Sequence, residues 1–255
     1  MKNILKTVML LLLVSSALYA ADTKDAQYYI NQFNEYFKDS CREVAVSIGK
    51  DNPVLPLGVP ICSGRYMQAL DYINEGIKKF PDRLDMRVMK ADACAAVGNA
   101  ECINETILET LKRSAKNKNR WLGAGDKLVD AGKEEMFYQI QLYAVKFDNA
   151  GRAEELRTLA NNILKYYPND VIALNNLGSS YSIQENYDQA LKYYLKAEKL
   201  APSDDIVINN IADNYYYKGD MTNALKYYHK LQAVTTKEDF KEEAEYQIKE
   251  ITSKL

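Results

Sequence analysis

The chain has 255 residues, with 33 Lys and Arg against 35 Asp and Glu, and a formal charge of −2. So nearly neutral a chain lacks the basic face of a dedicated nucleic-acid binder. Its six prolines, eleven glycines and lack of alternating β-branched runs point to an all-α fold, and one histidine with no CxxC leaves little for a zinc site.

Residues 1–20 form a separate object. Lys2 and Lys6 give a positive start, Val8 to Val14 is an apolar run, and Ser15 to Ala20 resembles a cleavage region. A secretory signal cleaved after Ala20, or after Ala21, is expected. The run is shorter than the roughly 18–20 residues a membrane-spanning anchor needs. Without Lys2 and Lys6 the chain keeps 31 basic residues against 35 acidic, a charge of −4. No later stretch is apolar enough to cross a membrane, so an exported protein, periplasmic or secreted, is expected. Four cysteines in such a chain suggest disulfides. Local spacing favours Cys41–Cys62 and Cys94–Cys102, with free buried thiols as the alternative.

Residues 21–115 read as an N-terminal helical region of degenerate repeat units. Asp22 to Lys50 begins as a long helix with Tyr29, Ile30, Phe33, Tyr36 and Phe37 on one face. Asp51-Asn52-Pro53 breaks it, and Pro53 to Pro60 is an extended loop. Gly64, Tyr66, Ala69, Ile73, Gly76 and Pro81 then hold the spacing of a second helix. Arg83 to Ala115 is a weaker unit, with Ala91 at a small position, Gly98 at the turn and an Ile103, Ile107, Leu111 stripe. Residues 116–133 are an irregular segment where the repeat phase breaks; a short helix Trp121–Asp130 is expected there, with Trp121 as packing. Residues 134–170 give another unit, with helices Glu134–Asp148 and Arg152–Tyr167 separated at Asn149-Ala150-Gly151. The cations Lys112, Arg113, Lys116, Lys118 and Arg120 read as a solvated turn that suits a helix C-terminus.

Residues 171–236 carry the strongest pattern. Leu174, Leu177, Gly178, Tyr181, Ala190, Tyr194, Ala197 and Pro202 describe two amphipathic helices, with Gln184-Glu185-Asn186 as the turn. The pattern returns 34 residues later as Ile208, Ile211, Ala212, Tyr215, Ala224, Tyr228 and Leu231. This period and residue set resemble the tetratricopeptide repeat (TPR) family, whose unit is helix–turn–helix. The resemblance, of an exported bacterial type, implies a right-handed α-solenoid. Residues 237–255 read as its C-terminal capping helix, opened by a capping box between Thr235 and Glu238, or Thr236 and Asp239.

The resemblance also implies a concave groove lined by the first helix of each unit. By position it presents Ile172, Asn175, Asn176, Ser179, Ser182 and Ile183, then Ile206, Asn209, Asn210, Asp213, Tyr216 and Tyr217. Asn176 and Asn210, one period apart, are expected to form a free amide ladder able to capture a peptide backbone. The peptide-binding candidates are therefore Asn175, Asn176, Ser179, Asn209, Asn210, Asp213, Tyr216 and Tyr217. Some family members grip a C-terminal carboxylate with groove cations; Asn175, Ser179, Ile206 and Asn210 stand there instead. No phosphate-binding loop, dinucleotide glycine motif, HExxH or nucleophile elbow appears, and His229 has no partner placed by motif. The expectation is a non-enzymatic scaffold of the cell envelope that needs no cofactor and binds an extended peptide or partner protein. A structural subunit of an envelope assembly is the alternative, and an enzyme a remoter one.

Overall fold

A computed structural model describes residues 24–47, 65–130 and 132–254, the side chains of 38–47 excepted. The leader, the Pro53–Pro60 loop and the Cys41–Cys62 pairing lie outside those described residues. Among them the chain forms eleven α-helices: α1 Ala26–Ser47, α2 Tyr66–Lys79, α3 Leu84–Ala96, α4 Ala100–Asn117, α5 Gly132–Asn149, α6 Ala153–Tyr166, α7 Val171–Ser182, α8 Tyr187–Leu200, α9 Asp205–Lys218, α10 Met221–Val234 and α11 Glu238–Lys254. Consecutive helices pack antiparallel in pairs, and pairs stack in chain order into an α-solenoid.

The core follows from the apolar stripes and is segmented, as a one-dimensional stack requires. Tyr29, Phe33, Ala69, Ile73 and Met86 tie α1, α2 and α3. Ile103, Leu111, Trp121, Met136, Phe147, Leu156 and Ile163 fill the space between α3 and α6. Leu174, Ala190, Tyr194 and Ile211 join α7, α8 and α9, while Ile208, Tyr228, Leu231, Ala244 and Ile251 join α9, α10 and α11. Helix α11 thus covers the apolar end of the stack. Stacked tyrosine pairs repeat with the period: Tyr181 on Tyr193 and Tyr215 on Tyr227, each at 5.6 Å between ring centres.

Helix starts are fixed by short polar side chains that accept otherwise unpaired N–H groups. Asp170 accepts from Ala173 N at 2.8 Å, Asp204 from Val207 N at 3.1 Å, and Asn99 from Cys102 N at 3.0 Å. The small residue at position 178 lets two backbones approach. A Cβ added to Gly178 would stand 2.5 Å from the Tyr194 ring. The Cys94–Cys102 disulfide closes the α3–α4 turn, with Cα atoms 5.7 Å apart.

Two local expectations are corrected. Residues 121–130 hold no α-helix, only a single 3-10 turn at Ala124–Asp126. Leu122 N donates to Asp82 O at 2.8 Å, Leu84 N donates to Leu122 O at 2.9 Å, and Val129 N donates to Trp121 O at 2.9 Å, so the segment folds back as a ribbon beside the α3 start. Gly125 and Asp126 adopt positive φ (66° and 55°), outside the right-handed helical region. Trp121 is buried as expected, and Arg83 bolts the ribbon down, donating to Asp85 at 2.6 and 2.9 Å and to Asp126 at 2.7 Å. The second correction concerns the Thr235–Glu238 capping box. The Thr235 hydroxyl instead donates to Asp205 at 3.1 Å and accepts from Lys237 N at 3.1 Å, because it is buried against the α9 start. The basic run at 112–120 is also less free than expected: Arg113 donates twice to Asp82, at 2.8 and 2.7 Å.

Candidate functional site

The first helices α5, α7 and α9 lie side by side, and each presents residues at i, i+4, i+7 and i+11 to one shared face. On α5 these are Tyr138, Leu142, Val145 and Asn149; on α7, Ile172, Asn176, Ser179 and Ile183; on α9, Ile206, Asn210, Asp213 and Tyr217.

The candidate residues come together here, but not as free hydrogen-bonding groups. Asn175, Asn176 and Ser179 are buried. Asn210 Nδ2 donates to Asn175 Oδ1 at 2.8 Å, and Asn176 Nδ2 donates to Gln141 Oε1 at 3.2 Å. The expected open ladder of Asn176 and Asn210 is therefore replaced by two rungs, each joining residues 35 apart. The cause is packing: neighbouring first helices approach closely enough that amides at their seam satisfy each other. Gln141 was not legible as a member, since no asparagine pattern extends to it. Asn209 is turned along its own helix, donating to Asp213 at 2.9 Å. Tyr216 and Tyr217 meet edge to face at 5.6 Å, and Tyr217 stays exposed.

Beside the rungs lies an open cavity of about 380 Å³. Its walls include Asp148 from α5, Ser179 and Ser182 from α7, Glu185 from the α7–α8 turn, and Asp213 and Tyr217 from α9. Tyr187 stacks on Tyr217 at 6.5 Å across its mouth. Tyr194 lies deeper and donates to Ser179 Oγ at 3.2 Å, while burial pushes its phenol above the ordinary range. Asp213 accepts from Tyr228 at 2.7 Å and from Asn209; burial pushes its carboxyl up from the ordinary value, the Tyr228 bond acting against it. No Lys or Arg is among the lining residues. The arrangement offers aromatic contact and hydrogen-bond acceptors to a ligand's donors.

A larger groove of about 660 Å³ separates the α4 and α6 starts, walled by Glu101, Glu105, Arg152 and Glu154. Arg152 is already committed there, donating to Glu155 at 2.9 Å. Among the described residues, no three His, Cys, Asp or Glu side chains converge to hold a metal ion, and no helix is long and apolar enough to cross a membrane. His229 is exposed on α10.

The tetratricopeptide repeat family profile matches residues 171–204, the α7–α8 unit whose first helix lines this face. Solved structures similar to this chain include MamA 41-end from Desulfovibrio magneticus RS-1, at 14% identity and a TM-score of 0.45, covering 82% of this chain and 94% of that one. A thermophilic TPR protein in Thermus thermophilus, TTC0263, is similar at 17% identity and a TM-score of 0.43, covering 72% and 91%. No curated protein matches the chain.

Proposed function

From the tetratricopeptide-repeat match over residues 171–204, we propose that this chain is a non-enzymatic interaction scaffold of that repeat type that holds an extended segment of a partner polypeptide on the α5–α7–α9 face. One observation carries the reading. Of the ten exposed large apolar or aromatic side chains among the described residues, six lie on that face: Tyr138, Leu142, Val145, Ile172, Ile206 and Tyr217. Burying such side chains in solvent-excluded contact is what drives association, whereas scattered exposed residues would signify nothing. The rungs beneath them hold the helices in place, so little ordering is required on binding.

The partner is proposed to be an envelope protein. What supports this is the leader pattern of residues 1–20 and the Cys94–Cys102 cystine, a bond that persists in oxidising compartments.

A photo-crosslinking residue placed at Tyr217, with Met67 on α2 as an equally exposed control, tests the reading in cells producing the full chain. A discrete adduct at 217 that is absent at 67, and that is lost on Tyr138→Ser with Leu142→Ser, is expected. The same adducts from both positions would refute the face as the site.

A further inference from the structure

The face is graded. Across the three first helices one register position reads Leu142, Asn176, Asn210, and the next reads Val145, Ser179, Asp213. It is apolar on α5, amide and hydroxyl on α7, and amide and carboxylate on α9. Asp213 opens on the cavity, whose wall also carries Asp148 from α5 and Glu185 from the α7–α8 turn.

These carboxylates differ from their counterparts elsewhere in the same units. Asp188 pairs with Lys218, Glu198 with Lys230 and Asp205 with Lys237, at 2.5 to 2.9 Å. Asp213, by contrast, receives only the neutral donors Tyr228 and Asn209, and its burial leaves that charge poorly solvated. Among the described residues, Asp148 and Glu185 meet no cation within salt-bridge reach, nor does Glu243, which faces Asp213 from α11. A carboxylate has room for further donors beyond two. The Tyr187 and Tyr217 rings at the mouth present π faces, which attract ammonium and guanidinium groups. An anionic side chain would meet only repulsion, and a neutral one would leave the charges uncompensated.

We propose that the bound segment carries a lysine or arginine side chain that enters the Asp148–Glu185–Asp213 cavity, together with apolar side chains that lie on Leu142 and Val145. Neighbouring helix axes stand about 8–10 Å apart. Because the cavity wall runs from Asp148 on α5 itself to Asp213 on α9, the span from the α5 patch is between about one helical turn and two helix spacings, roughly 5–20 Å, or about two to six residues of extended chain at ~3.3 Å each. The cationic group donates to Asp213 beside the Tyr217 ring, with Asp148 and Glu185 on the surrounding wall, and the apolar residues cover the α5 edge. This rests on the proposed use of the face for binding and adds the chemistry of what binds.

The test is selection of random displayed peptides of about twelve residues, long enough for that span, on the full chain, followed by affinity measurement on the selected sequences. Asp148→Asn and Asp213→Asn are made singly and together. Asparagine at 213 keeps an acceptor for Tyr228, and the Asp148 carboxylate makes no hydrogen bond that its replacement would lose; circular dichroism melts check that each variant is folded. The expected result is enrichment of sequences with Lys or Arg about two to six residues from a pair of apolar residues. The double variant should then bind them roughly tenfold more weakly, as lost charge pairs in partly desolvated sites do. Replacing the peptide's basic residue by glutamine should cost the same on the native chain and nothing further on the double variant. If selected peptides lose affinity on Tyr217→Ser but are indifferent to the asparagine changes, the cationic inference falls and the binding face stands. If they are indifferent to Tyr217→Ser and Leu142→Ser as well, both fall.

Discussion

Replacing Gly178 by alanine probes how the most regular unit is held together. The added Cβ would meet Tyr194 Cδ1 and Cε1 at 2.5 Å, about 1 Å inside ordinary carbon contact. The ring has little room to retreat, being 2% exposed with its hydroxyl bonded to Ser179. Overpacking a filled core costs about 1–3 kcal/mol. Pulling the phenol from Ser179 adds about 1 kcal/mol. Alanine's better helix propensity returns about 0.5–1 kcal/mol. The net is a loss of about 2 kcal/mol. Ala144 and Ala212 hold the same register in the flanking units, so the cost is specific to the α7–α8 spacing and not to the position as such. Urea unfolding followed by circular dichroism measures it, in the native background and in Tyr194→Leu. In the second background the methyl has space, and Gly178→Ala should be neutral or stabilising. An unchanged midpoint in the native background, or an equal loss in both, would refute the contact as the reason for glycine.

Three other outcomes are expected. Cys94→Ser should lower stability by about 2–3 kcal/mol, the loop-closure entropy for a separation of 8 residues, and a reductant should have no further effect on the variant's melt. Glu185→Gly should raise stability by up to about 1 kcal/mol in urea unfolding, because Glu185 takes φ 58° at a turn where Gly151 and Gly219 take 64° and 86°. The hydrogen bonds from Arg113 hold the Asp82 carboxyl below the ordinary range, so this pair's stabilisation is complete above the unfolded carboxylate value of about 4 and is lost as pH falls through the lowered folded value. Asp82→Asn should therefore flatten the acid limb of a pH-dependent melting curve below about pH 4.

The helices were legible because their signals are local and repeated: capping Asp170 and Asp204, the Leu174–Leu177–Tyr181 stripe, and its return at Ile208–Ile211–Tyr215. The segment at 121–130 was not, because its conformation is decided by distant partners. Arg83 lies about forty residues before the Asp126 it holds. The α7–α9 seam was legible in position, while the hydrogen bonding of its amides was not. Helical phase placed Asn176 and Asn210 on one shared helix face. It could not show that the seam between helices is close enough for Gln141 and Asn175 to satisfy them. Nor could the period reveal the cavity carboxylates as a group, since Asp148, Glu185 and Asp213 occupy unrelated positions within their units.

The two amide rungs also bear on mechanics. Gln141–Asn176 ties α5 to α7 and Asn175–Asn210 ties α7 to α9, in addition to the apolar contacts of the core. Pulling the first helices of adjacent units apart loads those two bonds directly. Short-range hydrogen bonds rupture over small extensions, whereas apolar contacts slide and repack. The stack is thus expected to respond as a spring, stiff at first and softer after the rungs part, so that tension carried through it widens the α5–α7–α9 face before it unfolds the core.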